Sequence, residues 1–142
     1  MSYISDALRR QVAERANDCC EYCLIPPGLQ MFNPHEVDHI IAEKHRGKTA
    51  LENLCLSCYD CNRFKGSDIC SLDPEDDTLT RLFNPRVDRW SEHFQLEDGR
   101  IQPLTAIGRV TVHLLNLNRS PQVRQRRELI EIGRYPCNPQ SL

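Results

Sequence analysis

The sequence predicts an α+β domain folded around a bound metal ion, on three observations. Two Cys-x-x-Cys pairs, Cys20/Cys23 and Cys58/Cys61, stand on either side of a long insert. Inside that insert, short extended runs give way to a short helical run that Gly66 closes. Apolar residues make up 39% of the chain and the mean hydropathy is -0.55, a lean composition in which a structural metal usefully supplements a small core. At 142 residues the chain reads as one domain, residues 1–142, with an N-terminal helix in 1–19, the cysteine pairs and insert in 20–66, and an extension in 67–142 packing on the core.

Each element has its own signal. Ile4, Leu8, Val12 and Ala16 recur every four residues, with Ser2 or Ser5 available as N-cap and Asn17 as a stop, which predicts an amphipathic helix. Pro26-Pro27-Gly28 forces a turn, since proline lacks the amide donor and restricts the residue before it. Residues 35–41, carrying Val37, Ile40 and Ile41, predict a short strand, and 51–56 a second that pairs back on it across a polar turn containing Gly47. From Cys58 the pattern turns helical through Phe64. The Asp-rich stretch 67–80, broken by Pro74, predicts a surface loop. Asp98-Gly99 between extended runs predicts a hairpin, because that dipeptide supplies the positive φ angles of a two-residue turn. Thr105 caps a helix with Ile107, Val110, Leu114 and Leu117 on one stripe, and Pro121 sits in the first turn of another that ends at Gly133.

Cysteine carries the clearest chemistry. Four thiolates about 2.3 Å from one ion satisfy zinc, and two residues between ligands let each knuckle wrap it without strain. Cys55 and Cys58 form an overlapping pair, but Asn62 directly after Cys61 favours Cys58/Cys61 as ligands and leaves Cys55 to the core. Eight cysteines without a secretory signal argue for metal ligation over disulfides, and Cys19, Cys70 and Cys137 fall outside both pairs and are expected to be dispensable for folding. No apolar run approaches the roughly 18 residues of a membrane span, and a cytoplasmic location is expected. The net charge of -2 does not announce a polyanion partner, so the local basic clusters 44–48, 63–65 and 119–134 matter more than the sum. The loop between Cys23 and Cys58 exceeds the roughly 12 to 20 residues of a compact zinc ribbon, so the insert needs a role of its own. Asp38-His39 suggests one: a carboxylate can bind a divalent ion, and a neutral imidazole beside it can take a proton from water at physiological pH.

Together, Asp38-His39-Ile40, Gly47, Asn53-Leu54, Cys58 to Asn62 and Lys65-Gly66 resemble the HNH endonuclease family. That resemblance implies a ββα-metal (His-Me finger) core stabilised by a four-cysteine zinc site, with an N-terminal helix and a C-terminal hairpin plus two helices. It implies metal-dependent hydrolysis of DNA phosphodiesters, with double-stranded DNA as partner. By the same resemblance His39 would be the general base, Asn53 would hold the loop by hydrogen bonds to backbone, and Asp38 with Asn62 would bind the catalytic ion. A neutral amide at Asn62 favours a hard, hydrated ion, Mg2+ or Mn2+. Lys44, His45, Arg46, Lys48, Arg63 and Lys65 surround these residues in sequence and are candidates for phosphate contacts; Arg119, Arg124, Arg126 and Arg127 are candidates for further duplex contacts. The competing reading is a non-catalytic, zinc-stabilised nucleic-acid-binding module in which Asp38 and His39 are structural.

Overall fold

The computed structural model describes residues 2–137 as a mixed α/β structure. Helix α1 (Asp6–Arg15) starts where the Ser5 hydroxyl accepts the Leu8 amide, and its Val12, with Ile4 and Ala16 flanking the helix, packs on Leu54 and Leu56. Strands β1 (Glu36–His39) and β2 (Leu54–Ser57) pair antiparallel, with Asp38 opposite Cys55 and His39 opposite Leu54. The connection between them tightens into two 3-10 turns, Glu43–His45 and Leu51–Asn53, the second occupying the first half of the extended run expected over 51–56. Helix α2 (Tyr59–Lys65) follows at once, with Cys58 as its N-cap and Gly66 as its C-cap.

The extension opens with a correction. Strands β3 (Cys70–Leu72) and β4 (Leu79–Arg81) form a hairpin in place of the expected surface loop. Its turn is organised by Asp73, which is 1% exposed: its carboxylate accepts both Arg109 Nε and Arg109 Nη2, at 3.0 and 2.8 Å, and the Glu75 amide. One turn of helix, α3 (Trp90–His93), then leads into the hairpin β5 (Phe94–Glu97) and β6 (Arg100–Pro103), with Asp98-Gly99 as its turn. Helices α4 (Ala106–Leu114), capped by the Thr105 hydroxyl, and α5 (Ser120–Glu131), with Pro121 in its first turn, complete the described chain. No helix among the described residues is long and apolar enough to cross a membrane.

A single apolar cluster joins the cysteine pairs to the extension, with Tyr22, Phe83, Trp90, Phe94, Val110 and Leu115 among its members. Phe83 meets Phe94 edge-on at 5.3 Å between ring centroids. Three hydrogen bonds then fasten the extension to the backbone of the first knuckle: Trp90 Nε1 donates to Tyr22 O, the Tyr135 hydroxyl to Cys23 O, and the Cys137 amide to Leu24 O, at 2.9, 2.7 and 2.9 Å.

Cysteine usage brings a second correction. Cys19 and Cys137, expected to be free thiols without a structural role, form a disulfide across 118 residues. Closing a loop of that length removes unfolded-chain entropy, a contribution of about 2 to 5 kcal/mol.

Ion pairing adds a pH dependence. Arg81 grips Asp88 with two hydrogen bonds of 2.7 and 2.8 Å, and the Asn84 amide adds a third. The Arg81 hydrogen bonds hold the Asp88 carboxyl below its ordinary range despite partial burial. A depressed acid stabilises the fold above its unfolded value and loses that contribution as pH falls through the folded one. The melting temperature is therefore expected to fall on acidification below the ordinary carboxylate range, and Asp88→Asn to flatten that part of the profile in thermal melts at stepped pH.

Candidate active site and metal centre

The four cysteines converge. Cys20, Cys23, Cys58 and Cys61 are buried and all four sulfurs lie within 4.8 Å of one another. The Cys23 and Cys58 sulfurs are 3.8 Å apart, matching the ~3.8 Å edge of a tetrahedron with bonds of about 2.3 Å. Both knuckles have the same local geometry: the Cys23 amide points at the Cys20 sulfur and the Cys61 amide at the Cys58 sulfur, at 3.5 and 3.4 Å. Burial raises the Cys20 thiol, but hydrogen bonds from Cys23, Cys58 and Cys61 outweigh it and hold Cys20 well below its ordinary value. Cys23 and Cys61 are pushed up, first by their hydrogen bonds to Cys20. Four buried cysteine sulfurs within this reach of one another are a donor set that suits structural zinc. Cys55 stays out of the cluster, fully buried with its thiol directed to the Tyr22 hydroxyl.

Beside this centre lies the β1–β2 connection. Asn53, 9% exposed, is its clamp: Oδ1 accepts the Ile41 amide at 3.0 Å, and Nδ2 donates to Ile41 O and Lys48 O at 2.9 Å each. The clamp demands a glycine, because a Cβ on Gly47 would stand 1.7 Å from Ile41 O and 2.8 Å from Asn53 Nδ2. Asn53→Ala strands one amide and two carbonyls, at about 1 to 3 kcal/mol for each group that stays dry. It is expected to lower the denaturation midpoint clearly while zinc content stays at wild-type level, as checked by denaturant melts with elemental analysis.

His39, 5% exposed, stands at the end of β1. Its Nε2 lies 2.8 Å from the Thr49 hydroxyl and 3.5 Å from a Glu43 carboxylate oxygen, which leaves Nδ1 without a protein partner among the described residues. Glu43 is itself fixed by the amide and hydroxyl of Ser2, and those hydrogen bonds lower its carboxyl. Asp38 is half-buried, and its Oδ2 is buried with no hydrogen-bond partner. Burial raises the Asp38 carboxyl, and the charge of Lys65 works against that rise. An orphaned carboxylate oxygen of this kind fits a cation. Asn62 lies on α2, which packs on β1, and its side-chain amide makes no hydrogen bond among the described residues. The cysteines remain the sole group of three or more potential His, Cys, Asp or Glu ligands clustered among the described residues.

The basic residues divide. Lys44, His45, Arg46 and Lys48 are exposed on the connection, and Arg63 is exposed on α2 with its guanidinium over the Tyr59 and Phe64 rings. Lys65, expected to face phosphates, turns inward: it is 1% exposed and its ammonium reaches His39 O at 3.4 Å, because the buried face of α2 carries it. Arg126 is likewise buried, donating to Gly99 O, Leu117 O and Asn118 Oδ1, and is a strut between segments. Glu43 and Thr49 join the site with no motif to announce them; the position of Glu43 four residues after His39 is the one signal the sequence offers.

Comparison with curated proteins and with solved structures finds no match. Residues 20–68, the stretch from the first knuckle through the connection and α2, match the HNH endonuclease family, the family that the sequence resemblance named.

Proposed function

We propose that the chain is a metal-dependent endonuclease that hydrolyses phosphodiester bonds of duplex DNA, with residues 67–142 as an extension of one ββα-metal domain. The observation that supports this most is the pairing of an orphaned, buried Asp38 oxygen with a histidine held through one ring nitrogen only. In this reading Asp38 and Asn62 hold the second ion, Mg2+ or Mn2+, which supplies positive charge at the scissile phosphate and the leaving 3′ oxygen. Thr49 and Glu43 orient the imidazole through Nε2, and Nδ1 takes the proton from the attacking water. Asn53 and Gly47 keep the connection in place, so the base sits at one position instead of sampling many. Lys44, His45, Arg46, Lys48 and Arg63 meet phosphates as the strand docks, giving salt-dependent, sequence-tolerant binding.

The depth of His39 favours the competing reading, a zinc-stabilised binding module. Plasmid nicking decides between them. Nicking is expected to need Mg2+ or Mn2+ and to stop at a chelator concentration that leaves the zinc in place, because one carboxylate and one amide hold an ion far more weakly than four thiolates. Nicking that survives removal of all exchangeable metal overturns the Asp38/Asn62 assignment.

A further inference from the structure

A second concavity, of about 520 Å3, opens between the end of α1, the first knuckle and the 83–90 segment. It shares no residue with the candidate active site, although Cys20 of the metal centre forms part of its wall. Arg15, Arg86 and Arg89 line it together with Glu21, Phe83 and Trp90.

Its charges do not cancel. Glu21 is fully engaged, one oxygen on the Arg86 guanidinium and the other accepting the Leu56 amide at 2.8 Å. Asp88, also at the wall, is taken by Arg81 from outside the cavity. Arg15 donates to two neutral carbonyls, Leu51 O and Leu54 O, which leave its positive charge uncompensated. Burial lowers the basicity of Arg15, and the charge of Arg86 lowers it further, as two guanidiniums in mutual reach must. Arg89 is exposed and makes no ion pair or side-chain hydrogen bond among the described residues. With Asp88 neutralised by Arg81, the three cations face Glu21 alone, a surplus of two positive charges.

One donor is left over as well. Arg86 is 13% exposed, and its Nε is buried with no hydrogen-bond partner. A dry guanidinium N–H lacking an acceptor is unfavourable, so the Arg86 guanidinium gains from an anion that settles beside it. Phe83 and Trp90 give the same cavity an apolar side, and its volume exceeds that of a bare inorganic anion.

We propose that this cavity binds a small phosphomonoester, its phosphate on the Arg86 and Arg89 guanidiniums and its organic part toward Trp90 and Phe83. A phosphomonoester approaches two negative charges near neutral pH, which matches the surplus, and a planar guanidinium pairs with phosphate oxygens in a fork.

Trp90 is the only tryptophan in the chain and lines the cavity, so its fluorescence reports occupancy directly. Titration with adenosine 5′-monophosphate is expected to give a saturable change with a midpoint below about 1 mM, and inorganic phosphate a weaker one. Adenosine without phosphate is expected to give none. Arg89→Ala removes a side chain with no other partner and should raise the midpoint at least about tenfold without moving the melting temperature or plasmid nicking. Arg86→Lys keeps the charge but loses the planar fork and should weaken binding similarly. A response equal for adenosine and its monophosphate, a response reproduced by chloride at matched ionic strength, an unchanged midpoint in folded Arg89→Ala, or no saturable signal would each overturn the proposal.

Discussion

His39→Ala is expected to slow plasmid cleavage by roughly two to four orders of magnitude, the usual scale for removing a positioned base, while zinc content and DNA affinity stay near wild type. The prediction follows from what the imidazole touches. Its Nε2 contacts, Thr49 and Glu43, share the connection with Lys44, Arg46 and Lys48, but those three point to solvent and make no hydrogen bond to the ring, so losing the ring leaves them free to bind. A base acts on the reaction and not on docking, so single-turnover cleavage and fluorescence anisotropy on the same duplex separate the two. Thr49→Val should reproduce part of the loss, because the ring then keeps its nitrogen but loses an orienting contact. His39→Ala cutting as fast as wild type would move the nuclease elsewhere and leave the binding-module reading in possession.

Cys58→Ser carries the largest expected effect on stability. Cys58 is at once a member of the four-cysteine cluster and a helix cap: its sulfur accepts the Cys61 amide at the start of α2. Serine is a good N-cap, so the substitution keeps the helix start and removes the soft ligand. The loss then measures the metal. Structural zinc contributes on the order of 10 kcal/mol in small zinc domains, comparable to the whole stability of a domain this size. Purified Cys58→Ser is expected to lack zinc and to show no cooperative thermal transition, with Cys20→Ser behaving alike. Cooperative unfolding of zinc-free protein at the wild-type temperature would sink the four-cysteine centre.

Local chemistry explains what can be read from the chain in advance. Helix α2 is legible because its stop, Gly66, is written in the sequence, and Thr105 and Asp98-Gly99 mark α4 and the β5–β6 turn in the same way. The β3–β4 hairpin is not legible, since each strand has three residues and the fixing interaction, Asp73 with Arg109, spans 36 positions. The Cys19–Cys137 bond is longer-range still, and no spacing rule reaches across 118 residues. At the candidate site, residue types are legible and directions are not. Lys65 and Arg126 count as cations in any tally of charge, yet packing turns both inward, and the oxygens around His39 come from Thr49 and Glu43, which carry no motif of their own.

The grip of the extension on the first knuckle has a kinetic consequence. Tyr22, Cys23 and Leu24 each surrender a backbone carbonyl to Trp90, Tyr135 or Cys137, residues far along the chain. A metal ion held by Cys20 and Cys23 is expected to leave more readily once that stretch loosens, and those three donors restrain it. Metal exchange therefore becomes a clock for partial opening of the molecule: the rate at which a chelator captures zinc should track the rate at which the extension lifts from the knuckle, and not the intrinsic lability of zinc–sulfur bonds.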